Sequence, residues 1–526
     1  MLKKIILCTL FIFVVTSMVF SQDYQYLEYQ NEQILQTEKY QRGNGYQKDF
    51  LLFMELLQTT HPAFAPDQQH PFDVNLITEK GYQHLELCNS LFDFKLFLSS
   101  LIAPLHDGHT FVGLFQENGI DILYPLQIQL QDEVPYIMAL EKEYETALEK
   151  QIISINGFSI TDIYKKFGEI LVADNDFFLK QQVFEMILLP EIWNFIDKNV
   201  DNTKLHFTFF DETSIDIQAK RMEDIGEVAF VGSENQNSEI TTYNRKLPFF
   251  YTILEKERLA YLQFNECVDQ NSVRHYYDNS GHENINGKFS PELEDIFQQY
   301  PRFDTLLLSL FSEIKSKNIS TLVVDVRNNS GGNSALCSQL LSYLVPNIED
   351  IKSLNEAIRI SDYLIHYYSE WYENLCKNIH FQPEMGRLYS ESELLVEDSL
   401  EQVDIMKKYF TMNDDISLVF NGKTIFLQGK KTYSSAGILL VEARDNEIGK
   451  IIGEKSTYKP CSFGDILSWK LPNTQITGGI SHKYFTRPDE SKCNEEYLSP
   501  DVYIPTTLED YKNGIDPCWE WIKKNY

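Results

Sequence analysis

Two stretches near the N-terminus repeat apolar residues at three- and four-residue spacing, the period of an amphipathic helix. The first, DFLLFMELLQTTHPAF, predicts a helix that stops at His61-Pro62, because the residue before a proline avoids the helical conformation. The second, LFDFKLFLSSLIAPL, predicts a helix ended by Pro104. The pattern therefore predicts a helical region over residues 22–120.

Residues 121–250 mix periods, and short alternating segments predict strands. YPLQIQL, PYIMAL, LHFTFF and SIDIQA predict four of them, and EKQIISINGFSI predicts two more around an Asn156-Gly157 turn. Helices are predicted over residues 163–171 and 180–198, and polar residues 223–245 predict a linker. Short strands, an ING turn and a following helix resemble a PDZ-like module.

From residue 251 strands and helices alternate, which predicts an α/β domain reaching residue 526. STLVVDV is an apolar run typical of a buried parallel strand, and SALCSQLLSYLV and SSAGILLVEARDN predict helices after strands. DILSWKLPNTQITGGISHKYF predicts two strands around a Pro472-Asn473 turn. Residues 347–415 are aromatic and charged, and predict an insertion or lid.

Composition and the first residues narrow the class of protein. The 77 acidic against 46 basic residues, with a net charge of −31, argue against nucleic-acid binding. Residues 1–21 combine Lys3 and Lys4 with an apolar run too short to span a bilayer comfortably, which predicts a signal peptide rather than an uncleaved anchor. We expect export to the periplasm or beyond, with no stable membrane insertion afterwards.

Seven cysteines follow this leader, scattered and without a CxxC pair, so a structural zinc site is not expected. Export permits disulfides, and Cys461 with Cys493 is a candidate bridge.

Three segments carry chemistry. DVRNNSGGN joins a strand to a helix, and Gly331 and Gly332 allow backbone angles that turn N–H groups toward an anion. KKTYSSA also leads into a helix, where Ser434 is either a helix N-cap or a nucleophile. HDGHT offers His109, either as a polar loop residue or, with His106, as a metal ligand, for which no third ligand stands nearby.

Taken together, these segments resemble the tail-specific, or C-terminal-processing, protease superfamily, which includes the tricorn core and the interphotoreceptor retinoid-binding protein modules. VVDVRNNSGGN, KTYSSAG, IIGEKS, SFGDILSWKLPN, YFTRP and LSPDV carry the resemblance, and LHDGHT resembles the DGHT element of one branch. The resemblance implies a crotonase/ClpP-like α/β domain, often with a PDZ-like module, and a serine-type peptidase that needs no cofactor or metal and acts on a peptide or protein.

The resemblance also implies roles. Ser434 stands at the nucleophile position, and Ser435 with Gly331 or Gly332 would supply oxyanion N–H groups. Two residues are candidates for the base: His109, as in tricorn-like members, or Lys459, at the lysine spacing of the processing branch. Glu495 is carried over as the residue that orients the base.

The chain departs from the family pattern at three positions. Gly437 stands where a glutamate is usual, and Thr457 and Tyr458 replace two glycines of the loop after GE. These departures leave open a degenerate protein that binds a peptide or an apolar ligand on the same scaffold.

Overall fold

The computed structural model describes residues 26–66, 78, 81–82, 85, 88–114, 121–231, 247–279, 288–379, 381–394 and 408–526. The predicted signal peptide, residues 1–21, lies outside the described residues. In the part of the chain that is described, no helix has the length and apolar character needed to cross a membrane.

The strands are β1 (Leu27–Glu28), β2 (Phe111–Val112), β3 (Ile122–Leu123), β4 (Leu126–Gln131), β5 (Val134–Glu141), β6 (Ile152–Ile155), β7 (Phe158–Ser159), β8 (Lys204–Phe209), β9 (Ser214–Gln218), β10 (Lys220–Arg221), β11 (Val228–Phe230), β12 (Phe249–Leu254), β13 (Leu259–Phe264), β14 (Thr321–Asp325), β15 (Asn355–Arg359), β16 (Leu388–Ser390), β17 (Lys423–Gln428), β18 (Lys450–Gly453), β19 (Ser462–Lys470), β20 (Thr477–Thr486) and β21 (Val502–Tyr503).

The α-helices are α1 (Glu32–Leu35), α2 (Glu38–Arg42), α3 (Gly45–Thr60), α4 (Leu91–Ile102), α5 (Ile160–Gly168), α6 (Asp176–Met186), α7 (Pro190–Ile196), α8 (Gln270–Asn279), α9 (Pro291–Phe297), α10 (Phe303–Ser316), α11 (Ala335–Leu341), α12 (Asp362–Tyr367), α13 (Ser369–Asn378), α14 (Glu391–Leu394), α15 (Ser435–Asp445), α16 (Leu508–Asn513) and α17 (Pro517–Asn525).

A six-stranded sheet of order β12-β13-β14-β17-β18-β21 forms the C-terminal part, with every neighbouring pair parallel except β12 and β13. Successive side chains along its strands point to opposite faces of the sheet, and each face packs against an apolar layer. Leu322 and Val324 of β14 share a core with α10, α11 and α15, whereas Val323 packs with Trp519 and Ile522 of α17. The prediction of an α/β chain of several domains is confirmed.

A second sheet pairs β19 with β20 in antiparallel register and adds β1, β2, β15 and β16. Helix α3 packs on it and holds the turn between its two long strands, since the Asp49 carboxylate accepts hydrogen bonds from the backbone N–H groups of Asn473 and Thr474. The predicted insertion, residues 347–415, supplies β15 and β16 to this sheet and shares its core with the N-terminal helices.

Residues 121–231 form the β-rich part, with sheets of order β11-β5-β4 and β7-β6-β8-β9 around a core of their own. The helix predicted over residues 180–198 is wrong in one respect. It is two helices, α6 and α7, because Pro190 begins the second and has no N–H to continue the first. Cys461 and Cys493 form the disulfide considered from the sequence.

Candidate active site

Two loops of the main sheet meet at the carboxyl ends of adjacent parallel strands. Strand β14 leads into the turn of Gly331 and Gly332, and β17 leads into the turn that ends at Ser434. Because β14 and β17 are hydrogen-bonded neighbours, their following loops lie together, as ligand-binding loops do in open α/β sheets. A Cβ added to Gly331 would lie 2.6 Å from the Ser434 Cβ.

Ser434 adopts a backbone conformation that few L-residues occupy, with φ 49° and ψ −126°, immediately before α15. Such strain is found where the surrounding structure enforces it, above all at functional sites. Its side chain caps no helix N–H. Instead the hydroxyl lies 3.1 Å from Nε2 of His109, so the geometry favours the nucleophile interpretation over the N-cap one.

The glycine turn lies directly beside Ser434. Gly331 and Gly332 have φ values of 110° and 130°, which only glycine adopts readily. The N–H of Gly331 donates to Oδ1 of Asn329 at 2.8 Å, so it is already engaged. Among the residues that the structure describes, the N–H groups of Gly332 and Ser435 have no acceptor.

His109 reaches Ser434 from the loop between α4 and β2. The loop is anchored by pairing of β2 with β20 and by the N–H of Ser481, which donates to Thr110 Oγ1 at 3.0 Å. Asp107, fully buried, accepts the backbone N–H of His109 at 2.9 Å with one oxygen and contacts Nε2 of His61 at 2.9 Å with the other. Contacts with distant parts of the chain therefore hold the loop that carries His109.

The electrostatics of this loop favour a neutral imidazole beside a carboxylate. Burial alone would raise the pKa of Asp107, but the hydrogen bond and charge of His61 and the charge of His109 outweigh it and bring this pKa to about 2. Burial lowers the pKa of His109, and the Asp107 and Asp465 charges only partly oppose this. A neutral imidazole near neutral pH can accept a proton from Ser434.

The part of the chain that carries both glycines and Ser434 matches a known family. Residues 297–504 match the model of peptidase family S41. These residues form an S41 peptidase domain. The resemblance to the tail-specific protease superfamily and the prediction of a serine-type peptidase are confirmed by this match. His109 lies outside the S41 domain, so the proposed base is contributed by a preceding part of the chain.

Solved structures show the same fold over most of the chain. Mature CPAF complexed with lactacystin has 14% identity and a TM-score of 0.56, and the match covers 91% of this chain and 97% of that one. Mature CPAF alone has 13% identity and a TM-score of 0.55, with 91% and 96% covered. No curated protein matches the sequence.

Two residues predicted for the site form their hydrogen bonds and ion pairs with groups other than Ser434 and His109. Lys459 Nζ lies 3.4 Å from the Glu496 carboxylate, next to the S41 domain's β19. Glu495 accepts a hydrogen bond from Arg487 at 2.7 Å, and the same arginine also donates to Asp445. In this structure Glu495 therefore contacts Arg487 rather than His109, and its orienting role stays a prediction from the resemblance.

The departures from the family pattern form one packing arrangement. A Cβ at Gly437 would lie 2.2 Å from the ring of Tyr458, so the glycine leaves the space that the tyrosine fills. Tyr458 is 2% exposed and contacts the ring of Tyr433 edge-on, with centroids 6.0 Å apart. Gly437 and Tyr458 thus compensate each other in volume beside the turn of Ser434, and Ser434 remains partly exposed.

Two residues of the site carried no functional role in the sequence analysis. Tyr433 lies 3.1 Å from His109 Nδ1 through its hydroxyl, and its position directly before Ser434 was the available signal. Asp174 is buried on the loop before α6, and its Oδ1 accepts the Gly108 N–H at 2.6 Å. No pattern in the sequence distinguishes this aspartate from the others.

Within the described residues, one group brings several candidate metal-ligating atoms together: Asp107, His109 and Asp174, whose atoms lie within 4.8 Å of one another. Both nitrogens of His109 face hydrogen-bonding side chains, and both oxygens of Asp107 are engaged. His106 is exposed, in a left-handed conformation at the loop's start. These contacts suit proton transfer better than metal binding.

Proposed function

We propose that the chain is an exported serine endopeptidase that cleaves peptides or proteins through an acyl-enzyme on Ser434. The observation that carries this proposal is the 3.1 Å contact between Ser434 Oγ and His109 Nε2 at a strained turn before a helix. A serine hydroxyl is a weak nucleophile at neutral pH, so it needs an adjacent base to remove its proton.

In the proposed reaction, His109 accepts the Ser434 proton as Oγ attacks the peptide carbonyl. The negative charge on the carbonyl oxygen is held by the N–H groups of Gly332 and Ser435, with Gly331 providing room for it to approach. His109 then gives the proton to the leaving amine, and water repeats the attack on the ester. Among the two candidate bases, the contact distances favour His109 over Lys459.

Two finer features belong to this proposal. Residues 251–526 would be a crotonase/ClpP-like catalytic domain, supported by the largely parallel sheet with apolar layers on both faces. Residues 121–250 would be a PDZ-like module, supported by two small antiparallel sheets packed with α5 and α6 around their own core.

Export to the periplasm or the exterior is supported by the leader, residues 1–21, and by the disulfide between Cys461 and Cys493. Disulfides persist mainly in oxidising compartments.

The proposal is tested with a fluorophosphonate probe, which esterifies activated serines, on the mature chain from residue 22. The wild type and Ser309→Ala, a variant of an exposed serine on α10, should be labelled, and Ser434→Ala should not. Equal labelling of the wild type and Ser434→Ala would contradict the nucleophile. Labelled protein that cleaves no peptide of a mixed library, but retains a bound ligand, would favour the binding alternative.

A further inference from the structure

The second nitrogen of His109 faces Tyr433. The Tyr433 hydroxyl lies 3.1 Å from Nδ1, and the two rings stack with centroids 4.8 Å apart and planes 24° from parallel. Oδ1 of Asp107 lies 3.8 Å from Nδ1, beyond hydrogen-bond range, and the backbone of Phe463 also hydrogen-bonds the imidazole. Among side chains, Tyr433 is therefore in position to orient the imidazole.

Tyr433 is held in place from several sides. Its backbone N–H donates to the carbonyl of Asn329 at 3.0 Å, and its ring contacts Phe178 and Tyr458 at centroid distances of 5.2 and 6.0 Å. A ring packed between two aromatic side chains has few rotamers available. The hydroxyl is thus presented to His109 with little freedom.

Behind Tyr433 lies Asp174, 1% exposed, on the loop between α5 and α6. A Cβ added to Gly108 would lie 2.5 Å from the Tyr433 hydroxyl and 3.1 Å from Asp174 Oδ1, so the two oxygens crowd the same point. Burial above all, and then the neighbouring Asp174 charge, raise the pKa of Tyr433 well above its usual value. Asp174 Oδ2 is buried and, among the described residues, has no partner.

The direction of this hydrogen-bond chain decides whether His109 can act as a base. To accept the Ser434 proton, Nε2 must carry no hydrogen, so Nδ1 must carry one and donate it to the Tyr433 oxygen. The Tyr433 hydroxyl must then donate its own hydrogen elsewhere. The nearby Asp174 carboxylate can accept it, since one of its oxygens is buried without a partner among the described residues. The opposite direction places the hydrogen on Nε2, pointed at Ser434, and blocks the transfer.

We propose that Tyr433 and Asp174 are positioning residues that select the His109 tautomer able to accept a proton from Ser434. The inference rests on the proposed function, and it assigns to this pair the orienting role that the resemblance carries to Glu495. Asp174 belongs to the stretch of residues 121–231, outside the S41 domain, so the base is oriented by a part of the chain that the family match does not include.

The charges around Asp174 predict how this role depends on pH. Burial and the Asp107 charge raise the pKa of Asp174 to about 7, while the Gly108 N–H, the Tyr433 hydroxyl and Lys459 act in the opposite direction. On the other side of His109 stands Asp465 of β19, whose charge favours the protonated imidazole. Asp174 is thus protonated below about pH 7, and the productive direction is lost there.

The test measures the second-order rate of fluorophosphonate labelling from pH 5 to 9 on the full mature chain. Two groups, His109 and Asp174, must be deprotonated in the wild type, so the logarithm of the rate should rise with a limiting slope of two at low pH. Asp174→Asn and Tyr433→Phe should label about 10- to 100-fold more slowly at pH 8, with a slope of one. Asp176→Asn, an exposed neighbour on α6, is the matched control and should follow the wild type.

The outcomes separate this inference from the function on which it rests. A wild type that is not labelled at Ser434 contradicts both. Labelling of the wild type, lost in Ser434→Ala but unchanged in rate and slope by Tyr433→Phe and Asp174→Asn, overturns the positioning role alone. If circular dichroism shows that one of the two variants is destabilised, the other variant decides the test. An equal effect of Asp176→Asn would overturn the positioning role, because the loss would then come from a displaced loop.

Discussion

The turn that carries Ser434 and the loop that carries His109 reach the same point by different physical means. Ser434 lies between β17 and α15, so its strained φ of 49° is imposed by two regular elements with fixed ends. His109 is held by contacts that cross the molecule, from its partner Asp107 to His61 and from Thr110 to Ser481. The nucleophile is positioned mainly by local backbone, and the base almost entirely by tertiary packing.

This contrast indicates which half of the site tolerates change. The strand–turn–helix around Ser434 is a compact unit that a short motif can specify. The position of the His109 loop depends on its packing against three separate parts of the chain: the N-terminal helices, the second sheet and the loop of Asp174. Perturbing the base should therefore leave the Ser434 turn intact, while perturbing the turn should affect the nucleophile directly.

The largest expected effect comes from removing the base. His109→Ala should slow probe labelling at pH 8 by about 1,000-fold, because general-base catalysis by a positioned side chain is worth that order of magnitude. His106→Ala, three residues earlier and exposed, is the control and should change the rate less than about twofold. A chelator that inhibits the wild type as strongly as His109→Ala does would revive a metal role for this loop.

A methyl group at Gly331 tests the local half. Gly331→Ala should slow labelling by about 100-fold, because its Cβ would meet Ser434 Cβ at 2.6 Å in a residue with φ 110°. Gly157→Ala is the matched control, since it has a φ of 80° but nothing within 4 Å of the new Cβ. It should lower stability by about 1 kcal/mol through backbone strain and leave labelling unchanged. Equal slowing in both variants would mean that strain, rather than crowding of Ser434, is responsible.

The smallest expected effect concerns Lys459. Its positive charge favours the ionised form of Asp174, so Lys459→Met should raise the pKa of Asp174 and move the acidic limb of the labelling profile to higher pH by a few tenths of a unit. The rate at pH 8 should fall only slightly. A loss of labelling rate as large as that of His109→Ala would indicate that Lys459, and not His109, is the base.

Much of this arrangement could be predicted from the sequence because it is local. The apolar run of β14 and the two glycines after it form one short segment, and Ser434 with the start of α15 forms another, so each turn follows from neighbouring residues. The helices α3 and α4, and the hairpin of β19 and β20, follow for the same reason. Alternation and capping act over short distances, so they are visible in the sequence alone.

Two contacts of the folded chain could not be read from spacing. The resemblance carries the orienting role to Glu495 by its distance from a Pro-Asp pair, whereas in the structure Arg487 pairs with Glu495 and with Asp445. Gly437 and Tyr458 looked like separate departures, yet in space they are one contact. Spacing in the sequence does not show which of several acidic or aromatic side chains a folded chain brings together.

The sequence alone determined that this is an α/β chain with a serine turn, a glycine turn and a candidate histidine, and it indicated the class of chemistry. Only the tertiary structure decided that His109 meets Ser434 across 325 positions, and that Tyr433 and Asp174 stand behind the imidazole. The physical reason is range: backbone conformation follows from neighbouring residues, whereas hydrogen bonds between buried side chains depend on the packing of whole domains.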